Sequence, residues 1–423
     1  MRTGVAASWI VPVGSPPLED GWILAEDGII IDMGRGTAPA ECSRMGDGMI
    51  VIPGLVSAHV HLPLGTLRGL DDNAGFHDWI VGPMMDSIRR IESGDIHEYA
   101  DGARISAREL LSGGVTMVGE NHYRLEGMQA LAELGMRGVY FHEVFGSLAP
   151  DEIAAWVHTE SRLGAVPENT GVGRWGISPH SPWTCPTFTF SKAVERARAE
   201  RRRLSFHLEE SVEERDFLLH RRGPLYESVA KRGTLSRYRL GASPTQVVSE
   251  LGGLGPTTVV AHVVQADEED LRLIAASGTH VVHCPTSNLK LGEGIAPVSR
   301  MRQLGINVAI GTDSLASASR ADMFEEMRLA LNLARGVERC ANAMSATDAL
   351  AMATVNGAEA LGVKHLCGTL EVGKWADWVV LDIGSRADRG LTRIEDAVVF
   401  LGAPERVREV VIAGMTRRTR SGA

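Results

Sequence analysis

Two histidines separated by one residue, His59 and His61, follow the apolar run Val51–Ala58, and further polar side chains stand at the ends of comparable runs: His207 with Glu210, His262, and Asp313. Side chains of an extended strand alternate between faces, so His59 and His61 share one face and can hold an ion between them. An isolated pair of this kind also arises by chance on exposed chain. His207, His262 and Asp313 at matching positions are what make it a site. Imidazoles and a carboxylate, without a thiolate, suit a divalent metal, zinc or ferrous iron, with one position left open for water. Such an ion lowers the pKa of bound water from about 15.7 towards ~7. Asp313 can touch the ion and accept a proton from that water, while Glu210, three residues past His207, can protonate a ring nitrogen as attack falls on the adjacent carbon. His262 can polarise the oxygen or stabilise a tetrahedral intermediate. The plainer alternatives are a solvated loop acid at Glu210 and a satisfied core histidine at His262.

These side chains need elements that aim them at one place. Short apolar strands are expected at Val51–Ala58, Val115–Val118, Val139–Val144, Arg174–Ile177, Leu204–Phe206, Thr258–Ala261, His280–Val282 and Asn307–Ile310, with helical patterns between most of them. Met323, Phe324, Met327, Ala330, Leu331 and Ala334, for example, fall on one face of a helix beginning near Ala321. Eight such strands predict an α/β fold, a (β/α)₈ barrel of the TIM type, in which functional residues gather at the C-terminal strand ends. Both chain ends read as β-rich: Trp9–Val13, Trp22–Leu24 and Ile29–Ile31 at the start, and Trp378–Leu381, Ala397–Leu401 and Val407–Ile412 at the finish. The termini are therefore expected to meet in a small composite β-sandwich, 1–52 with 366–423, around a barrel at 53–365.

Bulk properties exclude other classes. The chain has 423 residues, 44% hydrophobic and 23% charged, with a formal net charge of -10, so it lacks the basic footprint of a nucleic-acid binder and does not suit an anionic membrane. Five scattered cysteines form neither a disulfide framework nor a CxxC knuckle. The start has no signal-peptide pattern, no apolar run is long enough to span a bilayer, and a reducing cytoplasm is the expected setting.

Pro53-Gly54-Leu55-Val56-Ser57-Ala58-His59-Val60-His61 resembles the opening signature of the amidohydrolase superfamily. His283-Cys284-Pro285-Thr286-Ser287-Asn288-Leu289-Lys290-Leu291 and Gly311-Thr312-Asp313-Ser314-Leu315-Ala316-Ser317 are similar to its aminohydrolase branch of S-adenosylhomocysteine/methylthioadenosine deaminases, aminodeoxyfutalosine deaminases and triazine hydrolases. Ala353–Ala358 and Gly368–Asp377 resemble its C-terminal signature. The likeness covers nearly the whole chain. It implies a metal held by His59, His61, His207 and Asp313, with water-handling roles for Glu210 and His262. The fourth strand ends in His180, not the bridging lysine of binuclear members, which implies one metal and makes His180 a substrate contact. A homodimer is also implied.

Within the branch, Trp9–Val13, Phe141–Gly146 and Gly223–Tyr226 lean towards aminodeoxyfutalosine deaminase. Around Pro83 the chain reads Met84-Met85-Asp86 where the S-adenosylhomocysteine group places a ribose-binding glutamate. Trp79 and Trp183 can stack on a planar ring, Arg68 can neutralise an anion, and Glu120 and Ser314 are further pocket candidates. The expected activity is hydrolytic deamination of an aminated heteroaromatic, a 6-aminopurine nucleoside-like compound such as aminodeoxyfutalosine. The alternatives are loss of another group from an s-triazine, pterin or cyclic amidine, and, more distantly, a non-catalytic binding protein.

Overall fold

The computed structural model describes residues 1–384 and 393–419. Eight parallel strands pair in chain order: Leu55–Val60, Val115–His122, Arg137–Val144, Gly176–Pro179, Leu204–Leu208, Thr258–His262, His280–His283 and Val308–Ile310. All five residues of Thr258–His262 are buried, as in a strand covered on both faces. The last strand then meets the first. The Asp313 amide donates to the His59 carbonyl at 3.1 Å and the His61 amide to the Asp313 carbonyl at 3.2 Å. Gly311 permits this approach, since a β-carbon there would sit 2.8 Å from the His59 carbonyl oxygen. The sheet closes into the expected (β/α)₈ barrel.

The stretch expected as one strand over Val51–Ala58 is two, broken at Gly54. A β-carbon at Gly54 would overlap the Thr116 side chain, and the chain changes sheets at this point. Met49–Pro53 belongs to a second sheet, where it lies antiparallel to Trp378–Asp382 and parallel to Arg2–Ile10. That sheet runs Met415–Thr419, Val407–Ile412, Trp378–Asp382, Met49–Pro53, Arg2–Ile10, Leu18–Glu26, Ile29–Arg35, with Cys42–Arg44 also on Arg2–Ile10. Both chain ends thus share one sheet.

Ala397–Leu401, read as β-rich, belongs to the helix Ile394–Leu401. Its β-branched residues favour a strand only on a pleated surface. Here Ala397, Val398 and Val399 are buried in the large core shared with Phe324 and Leu331, so packing decides the conformation. The helix expected near Ala321 spans Met323–Glu338, capped by the Asp322 carboxylate, which accepts from the Phe324 and Glu325 amides, and all six residues of its apolar face are buried. Among the described residues, no helix is long and apolar enough to cross a membrane.

Candidate active site

The C-terminal strand ends converge as expected. His59 and His61 leave the first strand on one face, and His61 Nε2 lies 3.1 Å from His59 Nε2 and 3.2 Å from His207 Nε2. Asp313 Oδ1 is 3.4 Å from His61 Nε2 and 3.7 Å from His59 Nε2. Each ring is fixed from behind. His61 Nδ1 donates to the Asn121 carbonyl at 2.7 Å and His207 Nδ1 to the His180 carbonyl at 2.8 Å, which leaves both Nε2 lone pairs facing inward. The Asn121 side chain also lies 3.1 Å from His59 Nδ1. Ser287 and Ser317 hydroxyls donate to Asp313 Oδ2 at 2.6 and 2.7 Å, aiming its other oxygen at the histidines.

The protonation states suit a metal. Burial pulls His59 well below the usual imidazole range, lowers His61, and brings His207 down to about 4. Burial raises Asp313, but His61, His262 and the two serine hydroxyls outweigh it and hold the carboxyl below its ordinary value. Neutral imidazoles and an ionised carboxylate are the forms that ligate. Inward lone pairs at this separation repel one another unless a cation lies among them. The donor set therefore fits a divalent cation.

Glu210 and His262 stand beside this cluster, His262 Nε2 3.3 Å from Glu210 Oε1. The Asn288 amide, oriented so that its nitrogen meets acceptors, shares its two N–H donors among His262 Nδ1 at 2.8 Å, Glu293 Oε2 at 3.1 Å and the Cys284 carbonyl at 3.3 Å. This leaves the His262 proton on Nε2, towards Glu210. Backbone geometry marks the same strand ends. Glu209, His262 and Asp313 have φ of 51°, 75° and 53°, the left-handed region that non-glycine residues avoid, held here by hydrogen bonds such as that from the Asp313 amide.

A cavity of about 620 Å³ opens over the cluster, within the ordinary range for small-molecule sites. His180, Trp79, Trp183 and Ser314 are on its wall. The His180 ring packs between Phe145 and His207, with centroids 4.7 and 4.5 Å away. Ser314 caps the following helical turn through the Ser317 amide. Arg68 and Glu120 are not brought to the cavity. The first pairs with Glu109 and donates to the Ser319 carbonyl at 2.7 Å; the second is buried and accepts from the Leu62 amide at 3.1 Å. Sequence reasoning missed Glu143 and Glu293. Glu143 lines the cavity, its Oε1 3.6 Å from His61 Nδ1 and without a hydrogen-bond partner, and burial followed by the Asp313 charge pushes its carboxyl up to about 8. The adjacent polar pair His142-Glu143 at the end of a buried barrel strand was the available signal.

A parallel barrel whose mouth gathers neutral imidazoles and an ionised aspartate over a cavity defines a metal-dependent hydrolase. Residues 50–417 match the amidohydrolase family, and the chain belongs to that family. It is 31% identical over 416 residues to a 5-methylthioadenosine/S-adenosylhomocysteine deaminase of Moorella thermoacetica, covering 96% of this chain and 91% of that protein. A 5'-deoxyadenosine deaminase of Methanothermobacter thermautotrophicus is 31% identical over 369 residues, covering 86% of this chain and 81% of the relative. Among solved structures, an adenosine deaminase from Xanthomonas campestris with bound zinc has a TM-score of 0.85 at 26% identity, covering 100% of this chain and 94% of that one. An atrazine chlorohydrolase of Arthrobacter aurescens complexed with zinc shares the fold, with a TM-score of 0.82 at 22% identity over 100% and 97% of the two chains.

The donor assignment has a direct test. His59→Ala should lower bound metal well below one equivalent, read by elemental analysis of the purified protein; a full equivalent would remove His59 from the ligand set.

Proposed function

We propose that this protein hydrolytically deaminates a 6-aminopurine nucleoside-like substrate, with aminodeoxyfutalosine as the first candidate, using one divalent metal, zinc, held by His59, His61, His207 and Asp313. Glu210 beside the donor cluster is the observation that carries the reading: losing ammonia from a ring needs a proton on the adjacent nitrogen, and this carboxyl is placed to give one. When bound, the metal makes water acidic enough to attack at neutral pH. Water adds across the ring C=N bond. One of its protons passes through Glu210 to the ring nitrogen. The other passes through Asp313 to the amino group, which leaves as ammonia while the ring carbon becomes a carbonyl. The His262 Nε2 proton is available to the developing oxygen.

The cavity supports a nucleoside with an extension. Trp79 and Trp183 offer apolar ring surface, Met84 and Met85 line the wall, and Asp86 instead pairs with Arg89. Glu143 is a buried carboxyl with an unpartnered oxygen, open to a polar group of the substrate, and His180 is a second polar contact. Arg162 and Arg232 line the same cavity and suit a carboxylate at the far end of a substrate. A cytoplasmic homodimer belongs to the same reading.

Ammonia release from a panel of aminopurine nucleosides, triazines and pterins by the metal-loaded protein tests it. Release from an aminopurine nucleoside is expected. Loss of a substituent from triazines alone would favour the alternative chemistry, and no release from any member would overturn deamination.

A further inference from the structure

We propose that Glu293, a residue outside the expected site, is a neutral acid that donates a hydrogen bond to Glu210 and sets that carboxylate's readiness to pass on its proton. The catalytic consequence rests on the deamination reading; the protonation state does not.

Glu293 follows the seventh strand and is buried. Its carboxyl lies with Glu210 and His262 in a buried group whose facing atoms are all within 4.8 Å of one another. Oε2 accepts from Asn288, the amide that also fixes the His262 ring, and the Glu293 backbone amide donates to the Asn288 carbonyl at 2.9 Å. Oε1 has no partner as a carboxylate oxygen. A buried acceptor left orphaned is costly, whereas protonation gives the carboxyl an O–H to offer the Glu210 carboxylate of the same group. The charges facing Glu293 agree: after burial, Glu210 and Glu213 from the exit of the fifth strand and Asp313 from the eighth all oppose its ionisation. Two carboxyls this close in a dry site share a proton rather than ionise together.

A hydrogen bond from Glu293 fixes the Glu210 carboxyl, the group that takes the water's proton and passes it to the ring. Glu293 thus acts through Glu210 and is a positioning residue. If Glu293 ionises as pH rises, a second negative charge beside Glu210 makes the proton harder to release, and turnover falls on the alkaline side.

Infrared difference spectra of the metal-loaded wild type and Glu293→Gln at neutral pH should show a protonated-carboxyl band in the wild type that the substitution removes. No such band in the wild-type minus variant spectrum would overturn the proposal, whatever the substrate proves to be. With an active substrate, Glu293→Ala should lose about tenfold in kcat with KM little changed. Glu293→Gln, whose amide can donate to Glu210 and accept from Asn288, should restore most of that loss and lack the alkaline decline. Wild-type kcat in Glu293→Ala, or an unaltered alkaline limb in Glu293→Gln, would count against the role. Circular dichroism and metal content identify a variant that has misfolded, and the isosteric Glu293→Gln keeps the test open if Glu293→Ala does so.

Discussion

Asp313→Asn should lower turnover by ~10²-fold or more, a loss of about 2.7 kcal/mol of transition-state stabilisation, while leaving the fold intact. The residue does two things with one group. Oδ2 is held by the Ser287 and Ser317 hydroxyls, so Oδ1 faces His59 and His61 at 3.7 and 3.4 Å. An asparagine of the same shape can keep the serine contacts through its oxygen. It then presents an amide N–H to imidazole lone pairs and carries no charge to a cation. It also cannot take a proton from water. Both losses fall on turnover, and metal analysis separates them: reduced metal content reports the ligand role, and reduced kcat at full metal loading reports the proton role. Unchanged kcat at full loading would remove Asp313 from the proton path. The variant should melt close to the wild type when both are stripped of metal, because the substitution preserves volume and the hydroxyl contacts.

Much of this arrangement could be read before any coordinates. The period of two along a strand placed His59 and His61 on one face, and the strand ends at His207, His262 and Asp313 pointed to one barrel mouth. Those inferences needed only local geometry and the topology of the barrel. What escaped depends on tertiary contacts. Aspartate and histidine enter the left-handed region more readily than most residues, but nothing local to Asp313 or His262 requires it there; at Asp313 the hydrogen bonds of barrel closure hold it. Arg68 looked available to an anion because its partner Glu109 is forty-one residues away in the chain. Glu293 lies in a Gly-rich loop whose residue types suggest solvent, and only the folding of that loop under Asn288 brings it to Glu210. The Ala397–Leu401 segment has strand-like residues but a helical environment, so its propensity was outweighed by packing.

Glu210→Gln should also cost ~10²-fold or more in turnover, with metal content unchanged, because Glu210 stands beside the donor cluster and not within it. Glutamine keeps the length of the side chain and an oxygen for the His262 Nε2 contact. It cannot carry a proton to a ring nitrogen. The loss should therefore appear in kcat more than in KM. Turnover equal to the wild type would mean that the ring nitrogen is protonated from elsewhere. A double-mutant cycle sharpens the argument. If Glu293 works through Glu210, then Glu293→Ala should cost about tenfold in the wild-type background and almost nothing once Glu210 is glutamine, because the proton it regulates is gone. Independent contributions would instead multiply, and the size of the departure from multiplication measures the coupling between the two carboxyls.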